Sequence, residues 1–166
     1  MILDLSAVVN AEGKKLAFDT KLDFQDAKDL GIEFAQPVSV IGNVVNIGGS
    51  LELSANVKTV LRCVCNRCCD EFCEEFECSF EEVLKKEDKF ASEAEDLDAV
   101  YFQGNQVELD EIVLNNIIVA MPIKMLCKED CRGLCPVCGK NLNLGECGCD
   151  TRTSDPRFDA LDKFFE

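Results

Sequence analysis

Twelve cysteines and no histidine set the chemistry open to this chain of 166 residues. Six of them, Cys127, Cys131, Cys135, Cys138, Cys147 and Cys149, fall within 23 residues. The kernel is Cys135-Pro136-Val137-Cys138-Gly139. A metal ion needs two sulfurs converging on one point, and two intervening residues let the backbone turn tightly enough. The glycine that follows permits a positive φ. A second pair, drawn from Cys131, Cys147 and their neighbours Cys127 and Cys149, can close a tetrahedral zinc site at Zn–S distances of about 2.3 Å. The spacing does not select which four of the six bind.

A second group lies earlier: Cys63, Cys65, Cys68, Cys69, Cys73 and Cys78. Cys65 and Cys68 have metal-ligand spacing. They can form a second metal pair, join the C-terminal site, or stay as reduced buried thiols. A redox pair is a further reading, but no βαβ pattern surrounds them.

Zinc in the C-terminal stretch has a structural purpose, because residues 127–150 carry few large apolar side chains. Binding worth about 10–16 kcal/mol folds such a segment outright. A catalytic zinc keeps an open position and usually works beside a proton carrier, commonly histidine. Six thiols without a histidine point to a closed, structural site.

The formal charge is −15. Residues 124–157 hold six basic and five acidic side chains, leaving 11 basic and 27 acidic elsewhere. One zinc held by four thiolates adds a further charge of about −2. Affinity for nucleic acid at large comes from neutralising many phosphates. This composition argues against that, and no DNA partner is expected. An acidic body suits a basic protein partner, or RNA gripped at a few arginines: Arg62, Arg67, Arg132, Arg152 and Arg157, with Lys140 nearby. No basic leader precedes an apolar run at the start, and no run of 18 apolar residues exists. A cytoplasmic location, with thiols kept reduced and no membrane contact, is the expectation.

The elements that must position the cysteines follow from periodicity. Met1 to Val9 alternates weakly, as a strand. Lys15 to Phe24 alternates clearly, with Leu16, Phe18, Leu22 and Phe24 apolar. A short helix is expected from Phe24 to Gly31. Residues 37–47 and 50–64 make a long antiparallel hairpin about Gly48-Gly49. A third strand spans Glu71 to Leu84, with Phe72, Phe76, Cys78, Phe80 and Leu84 on one face as core. Residues 86–99 read as a solvated loop. A helix starts at Leu109-Asp110, with Leu109, Ile112, Val113, Asn116, Ile117 and Ala120 on one face, and Pro122 helps end it. A short amphipathic helix carrying Phe158, Leu161, Phe164 and Phe165 closes the chain.

Three features together resemble the YceD family of large ribosomal RNA subunit accumulation proteins. They are Cys65-Asn-Arg-Cys68 after a hairpin, the helix ending Ala120-Met-Pro122, and the stretch CKEDCRGLCPVCGKNLNLGECGC. The resemblance runs from about residue 37 to the end. It implies a role in accumulation or processing of large-subunit ribosomal RNA, alongside large-subunit ribosomal proteins. Some members lack the C-terminal cysteines, which implies that metal is not essential to the shared function. Cys63, Cys69, Cys73 and Cys78 fall outside the resembling pattern.

The reading is therefore an α+β fold: a small antiparallel β-sheet, a packed central helix and a C-terminal Cys-rich zinc module. Residues 1–122 form the body and 123–166 the module. The function expected is that of a non-enzymatic cytoplasmic factor in ribosome biogenesis, with zinc as cofactor. Its partners would be large-subunit ribosomal RNA or precursor particles, and basic ribosomal proteins. The rival classes are a thiol oxidoreductase, an RNA-processing enzyme, and a metal-buffering or sensing protein.

Overall fold

The computed structural model describes residues 1–24, 27, 30–87 and 99–150. The expected terminal helix, Arg152, Arg157, most of the loop at 86–99, and Gln25, Asp26, Lys28 and Asp29 of the expected 24–31 helix lie outside them. The chain divides into two compact units. One is Met1–Cys63 with Cys73–Ile123; the other is Val64–Phe72 with Lys124–Glu166. A single cut at 122/123 would leave residues 64–72 in the body. They cluster with the C-terminal cysteines instead, because backbone bonds tie them there: Asn66 N–H reaches Met125 O at 2.9 Å and Leu134 N–H reaches Arg67 O at 3.1 Å.

The first unit is mostly sheet. Its strands are β1 (Ile2–Asp4), β2 (Lys15–Leu22), β3 (Glu33–Phe34), β4 (Val38–Ile47), β5 (Ser50–Val64), β6 (Glu71–Lys86), β7 (Ala99–Phe102) and β8 (Gln106–Glu108). Its helices are α1 (Ser6–Val9) and α2 (Leu109–Ala120). Val64, Glu71 and Phe72, at the ends of β5 and β6, belong to the second unit. The main sheet runs β2-β4-β5-β6-β7, with β3 beside β5, and β1 pairs β8 separately. The sheet is mixed rather than purely antiparallel: β7 lies parallel to β6, with Val83 opposite Ala99.

The long hairpin pairs Ile47 with Ser50 and Ser39 with Lys58. Gly48 and Gly49 both have positive φ, 59° and 91°, as a two-residue turn of the type that matches strand twist requires. Alternation then buries one face: Val38, Val40, Val44, Leu53, Val57 and Leu61 are at most 1% exposed. On β6, Phe76, Phe80 and Leu84 are buried with the expected parity, while Phe72 and Cys78 are half-buried. Burying one such side chain is worth about 1.5–3 kcal/mol.

The N-terminal segment departs from the strand expected over 1–9. Strand β1 stops at Asp4, whose carboxylate accepts the Ser6 N–H at 2.8 Å. Leu5 and Val8, three apart, are then both fully buried, a spacing that one helical turn satisfies and alternation does not. Asn46, only 3% exposed, donates to the carbonyls of Val8 and Val9 at 2.7 and 3.1 Å and accepts the Gly49 N–H at 3.1 Å. Helix α2 buries Leu109, Ile112, Val113 and Ile117. Ala120 is exposed, so the buried stripe ends a turn earlier than its periodicity suggests. No helix among the described residues is long and apolar enough to cross a membrane.

Candidate metal centres

The second unit holds two sets of four sulfurs. Cys65, Cys68, Cys127 and Cys131 form one, and Cys135, Cys138, Cys147 and Cys149 the other. Within each set the Sγ atoms all lie within 4.8 Å of one another. Cys65 and Cys131 Sγ are 3.7 Å apart, and Cys68 and Cys127 Sγ 3.6 Å. Four sulfurs about 2.3 Å from one tetrahedral centre sit about 3.8 Å from each other. A disulfide would bring two of them to about 2.05 Å. The spacing fits a shared metal ion.

Each set is built on the same turn. After Cys65-x-x-Cys68, the Cys69 N–H reaches back to Cys65 O at 2.9 Å and the Cys65 N–H reaches Asp70 O at 2.9 Å. After Cys135-x-x-Cys138, Gly139 N–H reaches Cys135 O at 2.9 Å and Cys135 N–H reaches Lys140 O at 2.9 Å. Both turns need positive φ at the residue after the second cysteine: 60° at Cys69 and 72° at Gly139. Among the described residues Cys69 is the one non-glycine in that region.

The other two sulfurs of the first set come from the segment after α2. Asn66 clamps it: its side-chain oxygen accepts the Met125 N–H at 2.7 Å, beside the backbone bond to Met125 O. Arg67 Nη1 donates to Cys131 O at 2.9 Å and to Glu129 O at 3.3 Å. Gly133 lets the chain pass close, since a Cβ there would stand 3.0 Å from Arg67 O. Cys65, Cys68 and Cys131 are buried, with Phe72, Leu126 and Cys127 packed against them.

An amide network holds the segment 131–143 that links the two sets. Asn143 Oδ1 accepts the Arg132 N–H at 2.9 Å, and its Nδ2 donates to Cys131 Sγ at 3.3 Å. Asn141 donates to Asp70 at 2.7 Å and its oxygen accepts the Asn143 N–H at 3.0 Å. These asparagines were not singled out by cysteine spacing. The signal for them is the polar repeat Asn141-Leu-Asn143 just past the second turn.

Local dipoles already favour thiolate at chosen positions. Backbone N–H groups, that of Cys127 foremost, lower the Cys65 thiol to about 6. Those of Cys138 and Val137 lower Cys135, also to about 6. The Asn143 amide lowers Cys131. The Asp70 N–H works to lower Cys68, but burial and the sulfurs of Cys65, Cys127 and Cys131 outweigh it and push that thiol up. The Cys138 and Cys147 sulfurs push Cys149 up to about 12. Such crowding is what a bound divalent cation relieves.

Spacing leaves open which of the six C-terminal cysteines close the site at Cys135 and Cys138, and the structure brings Cys147 and Cys149 to them. Cys131 goes with the earlier cysteines, because the Arg67 and Asn66 bonds draw its segment to them. Cys65 and Cys68 form a second set, completed by Cys127 and Cys131 from the C-terminal six. Cys63, Cys69, Cys73 and Cys78 lie outside both sets. Burial, then the Glu74 carboxylate, raises the Cys63 thiol.

Of the arginines expected as RNA contacts, Arg62, Arg67 and Arg132 lie among the described residues, and each is engaged within the chain. Arg62 Nε lies 3.6 Å from Glu33 in the first unit. Arg132 Nη2 lies 3.2 Å from Glu146, and Lys140 donates to Glu146 O at 3.0 Å.

The comparisons with known proteins agree on one family. The model for YceD, described as large ribosomal RNA subunit accumulation protein YceD, matches residues 53–165. The chain is 24% identical to large ribosomal RNA subunit accumulation protein YCED homolog 1, chloroplastic, from Arabidopsis thaliana, over 75% of this chain. It spans 47% of that protein's length. No solved structure matches. The family match runs through both Cys-x-x-Cys turns and all eight clustered cysteines, and on that ground the chain belongs to the YceD family.

Proposed function

We propose that this chain is a non-enzymatic factor in the accumulation of large-subunit ribosomal RNA, acting in the cytoplasm and folded in part by two structural zinc ions. The family match over residues 53–165 carries the reading. Cys65, Cys68, Cys127 and Cys131 would hold one ion, and Cys135, Cys138, Cys147 and Cys149 the other. Four thiolates leave no open coordination position, so the ions brace the fold and activate no water. The donor set is also why zinc is the metal named: soft sulfur in fours suits it.

Two such sites add a charge of about −4 to a chain that already carries −15. Phosphate is repelled from most of such a surface. The factor then works partner-first: a basic ribosomal protein or a precursor particle binds the acidic body, with any direct RNA contact confined to a few arginines such as Arg67 and Arg132. Purification from cells at mild salt, with RNA and protein identified, is the test. Large-subunit precursors and basic ribosomal proteins should dominate, and depletion should lower large-subunit relative to small-subunit ribosomal RNA. Unchanged ribosomal RNA on depletion, with no ribosomal component retained, would overturn the proposal.

A further inference from the structure

We infer that the groove between β7, β8 and the first turns of α2 is the docking site for an extended, arginine- or lysine-bearing segment of a basic partner protein. It encloses about 620 Å³. Glu82, Glu108 and Glu111 line it, and no lysine or arginine does. Three carboxylates on three separate elements face one space. Asn116 Nδ2 donates to Glu82 Oε1 at 2.8 Å and to Ile112 O at 3.1 Å, which fixes the Glu82 carboxylate on the groove wall.

The rest of the lining suits a long basic side chain. Ile2, which is 59% exposed, and Val100 offer an apolar track for its methylene stem, while the carboxylates take its head. Among the described residues β7 is the last strand of the main sheet, beside β6. An edge of that kind offers main-chain donors and acceptors to an extended segment. The acids themselves rule out a phosphate-bearing occupant by repulsion. They join no metal-geometry set among the described residues, so a cation held by this chain alone is not the fit.

This inference rests on the preceding reading only for the identity of the partner, a basic ribosomal protein. The groove is testable without it. The probe is a fluorescein-labelled peptide of about nine alternating arginines and valines, with a glutamate-for-arginine control. It is titrated against the zinc-loaded full chain by fluorescence anisotropy. The Glu108→Gln/Glu111→Gln variant should bind about tenfold more weakly, while Glu52→Gln/Glu75→Gln, which removes equal charge from exposed positions outside the groove, should bind within about twofold of the parent. Circular dichroism and zinc content check that both variants fold. Amide shifts on peptide addition should centre on residues 100–116. Equal weakening by the two variants, or shifts scattered over the acidic surface, would overturn the groove and leave only general charge attraction. Specific peptide binding with unchanged ribosomal RNA on depletion would retain the groove and sink the ribosomal reading.

Discussion

Cys69 and Gly139 occupy the same place in two turns with the same hydrogen-bond pattern. Each follows a Cys-x-x-Cys pair, and each donates its N–H to the first cysteine's carbonyl at 2.9 Å. The φ values are 60° and 72°. Glycine takes that conformation freely, whereas a Cβ there meets backbone oxygen, at a cost of about 1–2 kcal/mol.

Cys69→Gly should therefore stabilise the zinc-loaded chain, by about 0.5–1 kcal/mol after glycine's larger entropy loss. The exposed Cys69 side chain belongs to neither sulfur set, so little is lost with it. Gly139→Ala should cost about 1 kcal/mol by the same logic. Denaturant midpoints measure both. A lower midpoint for Cys69→Gly would show that its thiol contributes something its position in the fold does not reveal.

Metal content should be two zinc ions per chain in protein purified reduced and without chelator. Cys138→Ser should release one and Cys68→Ser the other, with the first unit's strands intact by hydrogen exchange. Elemental analysis gives the count. Loss of both ions on either single change would mean that the two sets fold as one.

Asn143→Ala should weaken zinc at the first set by about 10–100-fold, a range typical of lost partners to metal ligands. It removes the amide donor to Cys131 Sγ and the acceptor for the Arg132 N–H. Competition with a chromogenic chelator reads the change. Asn143→Asp, which keeps the acceptor but places charge against a thiolate, should do no better.

Acid should release zinc, and the sign follows from the lowered thiols. Cys65 and Cys135 fall from an ordinary 9.0 to about 6. Between those values the folded chain holds thiolates that the unfolded chain would protonate. That advantage is complete above 9 and is lost as pH falls through 6. Bound metal holds the proton off further, so half-release should fall below pH 6. A dye-release titration with half-release near neutrality would contradict the assignment of these two cysteines as ligands.

Asn46→Ala should cost about 3 kcal/mol. It removes three hydrogen bonds at once: one of those to the buried Val8 carbonyl, which keeps the Ala11 N–H, one to the half-buried Val9 carbonyl, and one from the Gly49 N–H. Thermal unfolding measures it, and a change under about 1 kcal/mol would mean water replaces the amide.

Alternation and turn residues by themselves determined the hairpin about Gly48-Gly49, β6 and the start of α2, because period and turn chemistry are local properties. The Cys-x-x-Cys spacing likewise marked Cys135 and Cys138 as a metal pair in form, since two sulfurs on one tight turn need no distant partner. Which sulfurs complete each set was decided only by the tertiary structure. Cys65 and Cys68 lie some sixty residues from Cys127 and Cys131, and no spacing rule reaches that far. What joins them is a set of backbone and amide bonds, Asn66 to Met125 and Arg67 to Cys131, made by residues with no metal signature. The parallel pairing of β7 with β6 and the helical turn at Ser6–Val9 were decided in the same way. Both depend on what each segment is buried against, and burial is a property of the folded chain.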